Sequence, residues 1–239
     1  MHIETITSEM KDLLHILNDA DVGKDFILVG GTNVALRFGH RTSDDLDFFS
    51  VKEHARLPSL SQLTQVVNGL YHVNITLNES DQIWYTVGHT NVTFLLYPFL
   101  FVDKPTTDAL DVFGIPMASI LDMAAIKAST IGRRAAARDY ADLWAIIRNG
   151  ISLSDLIERA TAVFNAAGEQ NFSPKLFLKQ LTYHASLDSA DILGLEQRLR
   201  GGITWEHITE ELDEVVSKFM TNINESQTKT DHSITELGL

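Results

Sequence analysis

Apolar residues recur along this chain with two different periods. Ile6, Met10, Leu13, Leu14 and Leu17 fall on one face at helical spacing and predict an amphipathic helix over 6–17. The run from Phe26 to Val29 is apolar throughout and stops at Gly30-Gly31, the pattern of a buried strand breaking into a tight turn. Thr32 to Phe38 predicts a brief helix, and Asp45 to Phe49 a second strand. A polar connection containing Pro58 leads to a helix over 60–70. Three stretches rich in Val, Ile, Thr, Tyr and Phe then predict strands over 71–77, 82–88 and 91–97, separated by the turns at 78–81 and 89–90.

From Met117 the period changes. Ile120, Leu121, Ala124, Ala128 and Ile131 fit one helix face, and Tyr140, Leu143, Trp144 and Ile147 fit another. Helical patterns follow over 153–164, 174–184, 190–199 and 205–220. The fold class expected is α+β. Residues 1–116 form a mixed sheet with flanking helices and an antiparallel tendency, 117–220 an α-helical domain, and 221–239 a polar, flexible tail. There is no internal repeat.

Composition narrows the chemistry. The chain has 239 residues and no cysteine, which excludes disulfides, cysteine nucleophiles and thiolate zinc sites. The first residues lack a basic region followed by an apolar run, and no apolar stretch approaches the roughly 20 residues that span a bilayer. A cytoplasmic protein without a membrane partner is the expectation, and the Asn-x-Thr/Ser triplets at Asn74, Asn78 and Asn91 are background. The formal net charge of −13 opposes an extended nucleic-acid-binding surface, because affinity for phosphate backbones comes largely from Lys and Arg. A local basic pocket in an acidic body stays compatible with it.

Against this background the segment Val29–Phe49 stands out. Strand residues alternate faces, so Asp45 and Asp47 point one way and Leu46 and Phe48 the other. Two carboxylates roughly 6–7 Å apart along a strand repel each other, and a divalent cation turns the repulsion into attraction. Mg²⁺ (or Mn²⁺) suits the arrangement, since it takes a couple of carboxylates and completes its shell with water and substrate phosphates. Alone, the Asp-x-Asp pattern is more often a solvated edge strand with scattered acids. The preceding Gly30, Gly31 and Thr32 open a helix with exposed N–H groups and a hydroxyl, which favours phosphate. A cradle for a triphosphate and a metal site for its charge form a coherent pair. The loop is neither a Walker loop nor a dinucleotide fingerprint.

The stretch GGTNVALRFGHRTSDDLDFF resembles the first motif of the AbiEii/AbiGii abortive-infection toxins, a group within the DNA polymerase β-like nucleotidyltransferase superfamily. His40-Arg41, Ser43 and Asp45-Leu46-Asp47-Phe48 make the match narrower than the generic superfamily pattern. A second stretch, AAIKASTIGRRAAARDYADLW, resembles the family's helical motif through Lys127, Arg134, Arg138, Asp139 and Asp142. On one continuous helix Lys127, Arg134 and Arg138 share a face, and Gly132 is the point where that helix would break. The resemblance implies that these cations hold a triphosphate or pyrophosphate opposite the metal, with Asp139 and Asp142 orienting them. A surface salt-bridge ladder is the alternative.

The resemblance implies a Mg²⁺-dependent enzyme that moves a nucleoside monophosphate from an NTP to a hydroxyl on RNA, such as tRNA, or on protein. It further implies the toxin of a bacterial toxin–antitoxin pair that restricts phage, with a cognate antitoxin as partner. Gly30, Gly31, Thr32, Arg41 and Ser43 fall on the phosphate side, Asp45 and Asp47 on the metal, and Lys127 with Arg134 or Arg138 on the leaving group. His40 steadies the loop. One departure stands against turnover: many superfamily members carry a third metal-binding carboxylate on a later strand, and 92–102 contains no acid. Asp103, Asp108 and Asp111 are the substitutes at hand. A catalytically degenerate module that binds nucleotide or a partner without turnover is therefore the rival reading. The aromatic run from Phe94 to Phe101 reads as core packing.

Overall fold

All five expected strands form, and they join in one mixed sheet. The computed structural model describes residues 1–20, 24–52, 54–99, 101–105, 113–131, 133–134, 136–166 and 170–236. The strands β1 (Phe26–Val29), β2 (Asp45–Ser50), β3 (Val73–Asn78), β4 (Gln82–Val87) and β5 (Thr90–Leu95) lie in the order β1-β2-β5-β4-β3. Every pairing is antiparallel except β2–β5, which is parallel. The β3–β4 hairpin intervenes between them, so the chain re-enters the sheet beside β2 running the same way, as a crossover requires.

Alternation along β1 explains how two cores are built. Phe26 and Leu28 point to one face, where they join Leu46, Phe48, Val92 and Phe94 under helices α1 (Ser8–Asp19) and α3 (Leu60–Val67). Phe48 and Phe94 stack there with ring centroids 5.0 Å apart. Ile27 and Val29 point to the other face and enter a second core built with Val34 of α2 (Gly30–Phe38) and the C-terminal helices. Those helices are α4 (Ile120–Ile131), α5 (Ala137–Arg148), α6 (Leu153–Phe164), α7 (Pro174–Leu181), α8 (Ser189–Glu196) and α9 (Trp205–Glu236). An isolated parallel bridge between Leu28 and Met117 ties the second half to β1. The buried Asn33 amide reinforces the junction by donating to the carbonyls of Leu28 and Ala118, at 3.0 and 3.1 Å.

Local chemistry sets the element ends. The Thr7 side chain accepts from the Met10 N–H and starts α1 later than the apolar pattern does, and Ser59 with Gln62 forms a capping box for α3. That helix stops at Val67 rather than at residue 70, because Asn68 adopts a left-handed conformation (φ 48°) that ends it. The last helix is longer than expected and runs to Glu236. Its sequence after Met220 is polar but holds no Pro or Gly to break it. A single helix through Lys127 and Arg138 does not form: α4 ends at Ile131 and α5 begins at Ala137. Among the described residues, no helix is long and apolar enough to cross a membrane.

Candidate active site

The second-core face of the sheet carries α2 against β1 and β2. Over β2, β5 and β4 it opens into a cleft of about 710 Å³. Burial along β2 alternates, with Leu46 and Phe48 in the first core and Asp45, Asp47 and Phe49 facing the cleft. The two aspartates therefore share one face. Asp45 accepts from the Asn91 side-chain amide at 3.0 Å and lies 3.7 Å from the Arg138 guanidinium. Burial pushes the Asp47 carboxyl above its ordinary value, and the Asp45 charge adds to the push.

The glycine pair makes room for this arrangement. Gly30 has φ +69°, and a Cβ there would lie 2.3 Å from Asp47 Oδ2. At Gly31 a Cβ would lie 2.1 Å from an Arg41 terminal nitrogen. Both glycines line the cleft at the N-terminus of α2. Thr32 does not line it. Its buried hydroxyl contacts the Asp45 backbone carbonyl and lies 2.9 Å from the Ser43 hydroxyl, so it latches α2 to the start of β2.

Behind the aspartates lies a buried ionic network. Asp142 takes a bidentate contact from Arg41, at 2.7 and 2.9 Å, and a third from His40 Nε2 at 2.9 Å. Lys127 bridges Asp142 and Asp139, at 2.5 and 2.8 Å, and Arg134 closes on Asp139 at 3.0 Å. Burial alone would neutralise these groups. For Lys127, Asp142 and Asp139 outweigh it and hold the ammonium above its ordinary value. Likewise Arg41 and Lys127 overcome the burial of Asp142 and hold its carboxyl well below the usual range. Lys127 and Arg134 do the same for Asp139. Burial wins at His40, whose value is lowered.

The network sorts the expected cations into two kinds. Arg41 is buried and committed to Asp142 rather than free to grip a phosphate, and Lys127 reaches the cleft from between two carboxylates. Arg134 and Arg138 are half-exposed, at 54% and 46%, and can turn toward a polyanion. Folding in two helices rather than one brings Lys127 from α4 against Asp139 and Asp142 of α5.

The sheet register shows which residues of the later strand β5 stand beside the aspartates. Asn91 of β5 lies opposite Asp45, and Thr93 opposite Asp47. Asp103 lies elsewhere, bound to Ser119 and Arg159, and Asp108 and Asp111 fall outside the described residues. Among the described residues no group of three metal-ligating side chains is found. Two hard carboxylate donors that repel each other beside a helix N-terminus nevertheless fit a divalent cation whose remaining ligands would come from substrate and water. Sequence reasoning missed part of the cleft lining, to which Thr76, Gln82 and Trp84 of the β3–β4 hairpin contribute together with Arg133 and Arg198. Alternation in β4 is the signal that would have placed Trp84 opposite the buried Ile83 and Tyr85.

Comparison with known proteins bears on the fold and the family. An uncharacterized protein of Aquifex aeolicus is 25% identical over 218 residues, which is 91% of this chain and 98% of that one. JHP933 from Helicobacter pylori shares the fold with TM-score 0.56 and 20% identity, over 97% of this chain and 96% of its own. A putative nucleotidyltransferase from the same species gives 0.57 and 18%, over 91% and 95%. MenT4, a nucleotidyltransferase toxin from Mycobacterium tuberculosis, gives 0.55 and 17%, over 87% and 82%. The profile of the family described as "Nucleotidyl transferase AbiEii toxin, Type IV TA system" matches residues 11–82 and 72–231. The chain thus belongs to the AbiEii family of nucleotidyltransferase toxins from toxin–antitoxin systems.

Proposed function

We propose that the protein transfers a nucleoside monophosphate from an NTP to a hydroxyl acceptor, with a divalent cation held by Asp45 and Asp47. The observation that carries the reading is that these two carboxylates, on one face of β2, share one cleft with the α2 N-terminus and with Arg134 and Arg138. In the reaction the acceptor oxygen bonds to the α-phosphorus as the bond to the β-phosphate oxygen breaks. Pyrophosphate leaves, and the hydroxyl proton passes to solvent. A cation bound at the aspartates supplies charge neutralisation at the phosphates. The chain's own residues position the substrate. The Gly30-Gly31 turn admits the phosphates to the α2 N-terminus, while Arg134 and Arg138 meet the charge that builds on the leaving pyrophosphate. Lys127 acts from the base of the cleft, held in place by Asp139 and Asp142. Arg41, His40 and Ser43, with Thr32, position these groups. Residues 1–116 and 117–220 are the two units that the cleft separates, and a cognate antitoxin restrains the activity in the cell.

A second reading, a nucleotide- or partner-binding module without turnover, is favoured by one observation: Asn91 and Thr93 occupy β5 where an acid would assist an acceptor hydroxyl. A labelling assay separates the two. Purified protein is incubated with each α-labelled NTP, Mg²⁺ and either total RNA or cell lysate, beside Asp45→Asn and Asp47→Asn. Label that disappears in both variants supports transfer, and nuclease or protease sensitivity identifies the acceptor. If folded protein yields no label yet is stabilised thermally by Mg²⁺-NTP, the binding module replaces the transferase.

A further inference from the structure

Trp84 is 45% exposed and lines the cleft, although large aromatic side chains ordinarily bury most of their surface. Its indole N–H donates to Gln82, two residues away on the same strand, at 3.1 Å. In the sheet it stands beside Thr93, which stands beside Asp47, so these three residues form one row across β4, β5 and β2. Two strand spacings put Trp84 about 10 Å from Asp47. On the neighbouring strand the register shifts between Ile75 and Leu77. That bulge leaves Thr76 unpaired and at the cleft, a local kink of the kind that re-aims side chains beside active sites.

Gly30, on the β1 side of Asp47, and Trp84, on the β4 side, flank the aspartate from opposite directions. If the leaving pyrophosphate lies toward Gly30, Arg134 and Arg138, in-line displacement brings the attacking hydroxyl from the Trp84 side. We infer that Trp84 is a stacking platform for one unpaired base at the end of a single-stranded RNA acceptor, and so positions the attacking hydroxyl. This rests on the transferase reading above. A single stacked base suits a chain of net charge −13, which disfavours a long phosphate backbone but offers the half-exposed Arg198, paired with Asp44, at the cleft.

The test combines two variants and two readouts. The probe is a short unpaired oligoadenylate. It quenches the wild-type tryptophan emission in a part that Trp84→Phe removes, since Trp144 is buried and Trp205 half-buried. In labelling assays Trp84→Ala raises the RNA acceptor KM roughly 5- to 100-fold, the loss of one base–aromatic stack, and Trp84→Phe stays near wild type. Thermal stabilisation by Mg²⁺-NTP is unchanged in both. An unaltered acceptor KM in Trp84→Ala overturns the inference. So does lost NTP stabilisation, which would put the indole under the incoming nucleotide's own base. Should wild-type protein label no acceptor, the transferase reading fails separately. Quenching by oligoadenylate then decides the platform, and its absence overturns it.

Discussion

Replacing Asp142 with Asn tests whether the buried network holds the cleft together. The carboxylate is fully buried and neutralises two buried cations, Arg41 and Lys127, while also accepting from His40. In the variant an amide NH₂ confronts one of those cations. Lys127 keeps Asp139, but Arg41 keeps only the Thr42 carbonyl at 3.0 Å. Breaking a buried pair from one side costs about 3–5 kcal/mol, because the remaining charge stays buried without its partner. For a chain of this size that lowers Tm by roughly 6–20 °C. Calorimetry at neutral pH reads the shift, which changes little between low and high salt since buried pairs are weakly screened. The pH dependence has a definite sign. The folded Asp142 carboxyl lies well below its ordinary value, so its stabilisation is complete above about pH 4 and is lost as pH falls through the folded value. The variant's stability should therefore fall less steeply on that acid limb. Adding Arg41→Met removes the stranded cation, so the double variant should lose less than the sum of the singles. A Tm within 2 °C of wild type (roughly the effect of a surface pair), or strict additivity, would refute the reasoning.

Other substitutions probe the aspartates and their surroundings. Asp47→Asn removes a like-charge repulsion that amounts to about 2.5 kcal/mol at roughly 6.5 Å and an effective dielectric of 20. Discounted for the partial exposure of Asp45 and the nearby cations, about 1 kcal/mol remains, so the variant should melt a few degrees higher in EDTA yet lose stabilisation by Mg²⁺. A lower Tm in EDTA would show the carboxylate already satisfied. Gly30→Ala places a Cβ at φ +69° and 2.3 Å from Asp47 Oδ2, costing about 1–2 kcal/mol in backbone strain alone. It should lower Tm by several degrees and cut labelling by roughly tenfold or more, and unchanged labelling would free Asp47 from a metal role. Arg138→Ala breaks a solvent-exposed 3.7 Å contact and should shift stability by under about 1 kcal/mol. Its effect belongs on the NTP KM, roughly tenfold upward, in a labelling titration.

Local patterning along the chain was enough to locate the strands, most helices and the chemistry-bearing pair. Alternation in 45–50 put Asp45 and Asp47 on one face whatever the topology, because a strand has no other way to arrange its side chains. Apolar spacing likewise located the strands and most of the helices. Neighbours across the sheet were a different matter. Only the register of β2 with β5 put Asn91 and Thr93 opposite the aspartates, and only β5 pairing with β4 brought Trp84 into the same row. Strand order depends on pairings remote in sequence, which local periodicity does not encode. The same limit explains Arg41 and Thr32. Their residue types suit phosphate, yet Arg41 meets a carboxylate 101 positions away and Thr32 a carbonyl 13 positions on, at the start of β2. A side chain's task is set by the partner that folding brings to it, and buried charges take the nearest opposite charge.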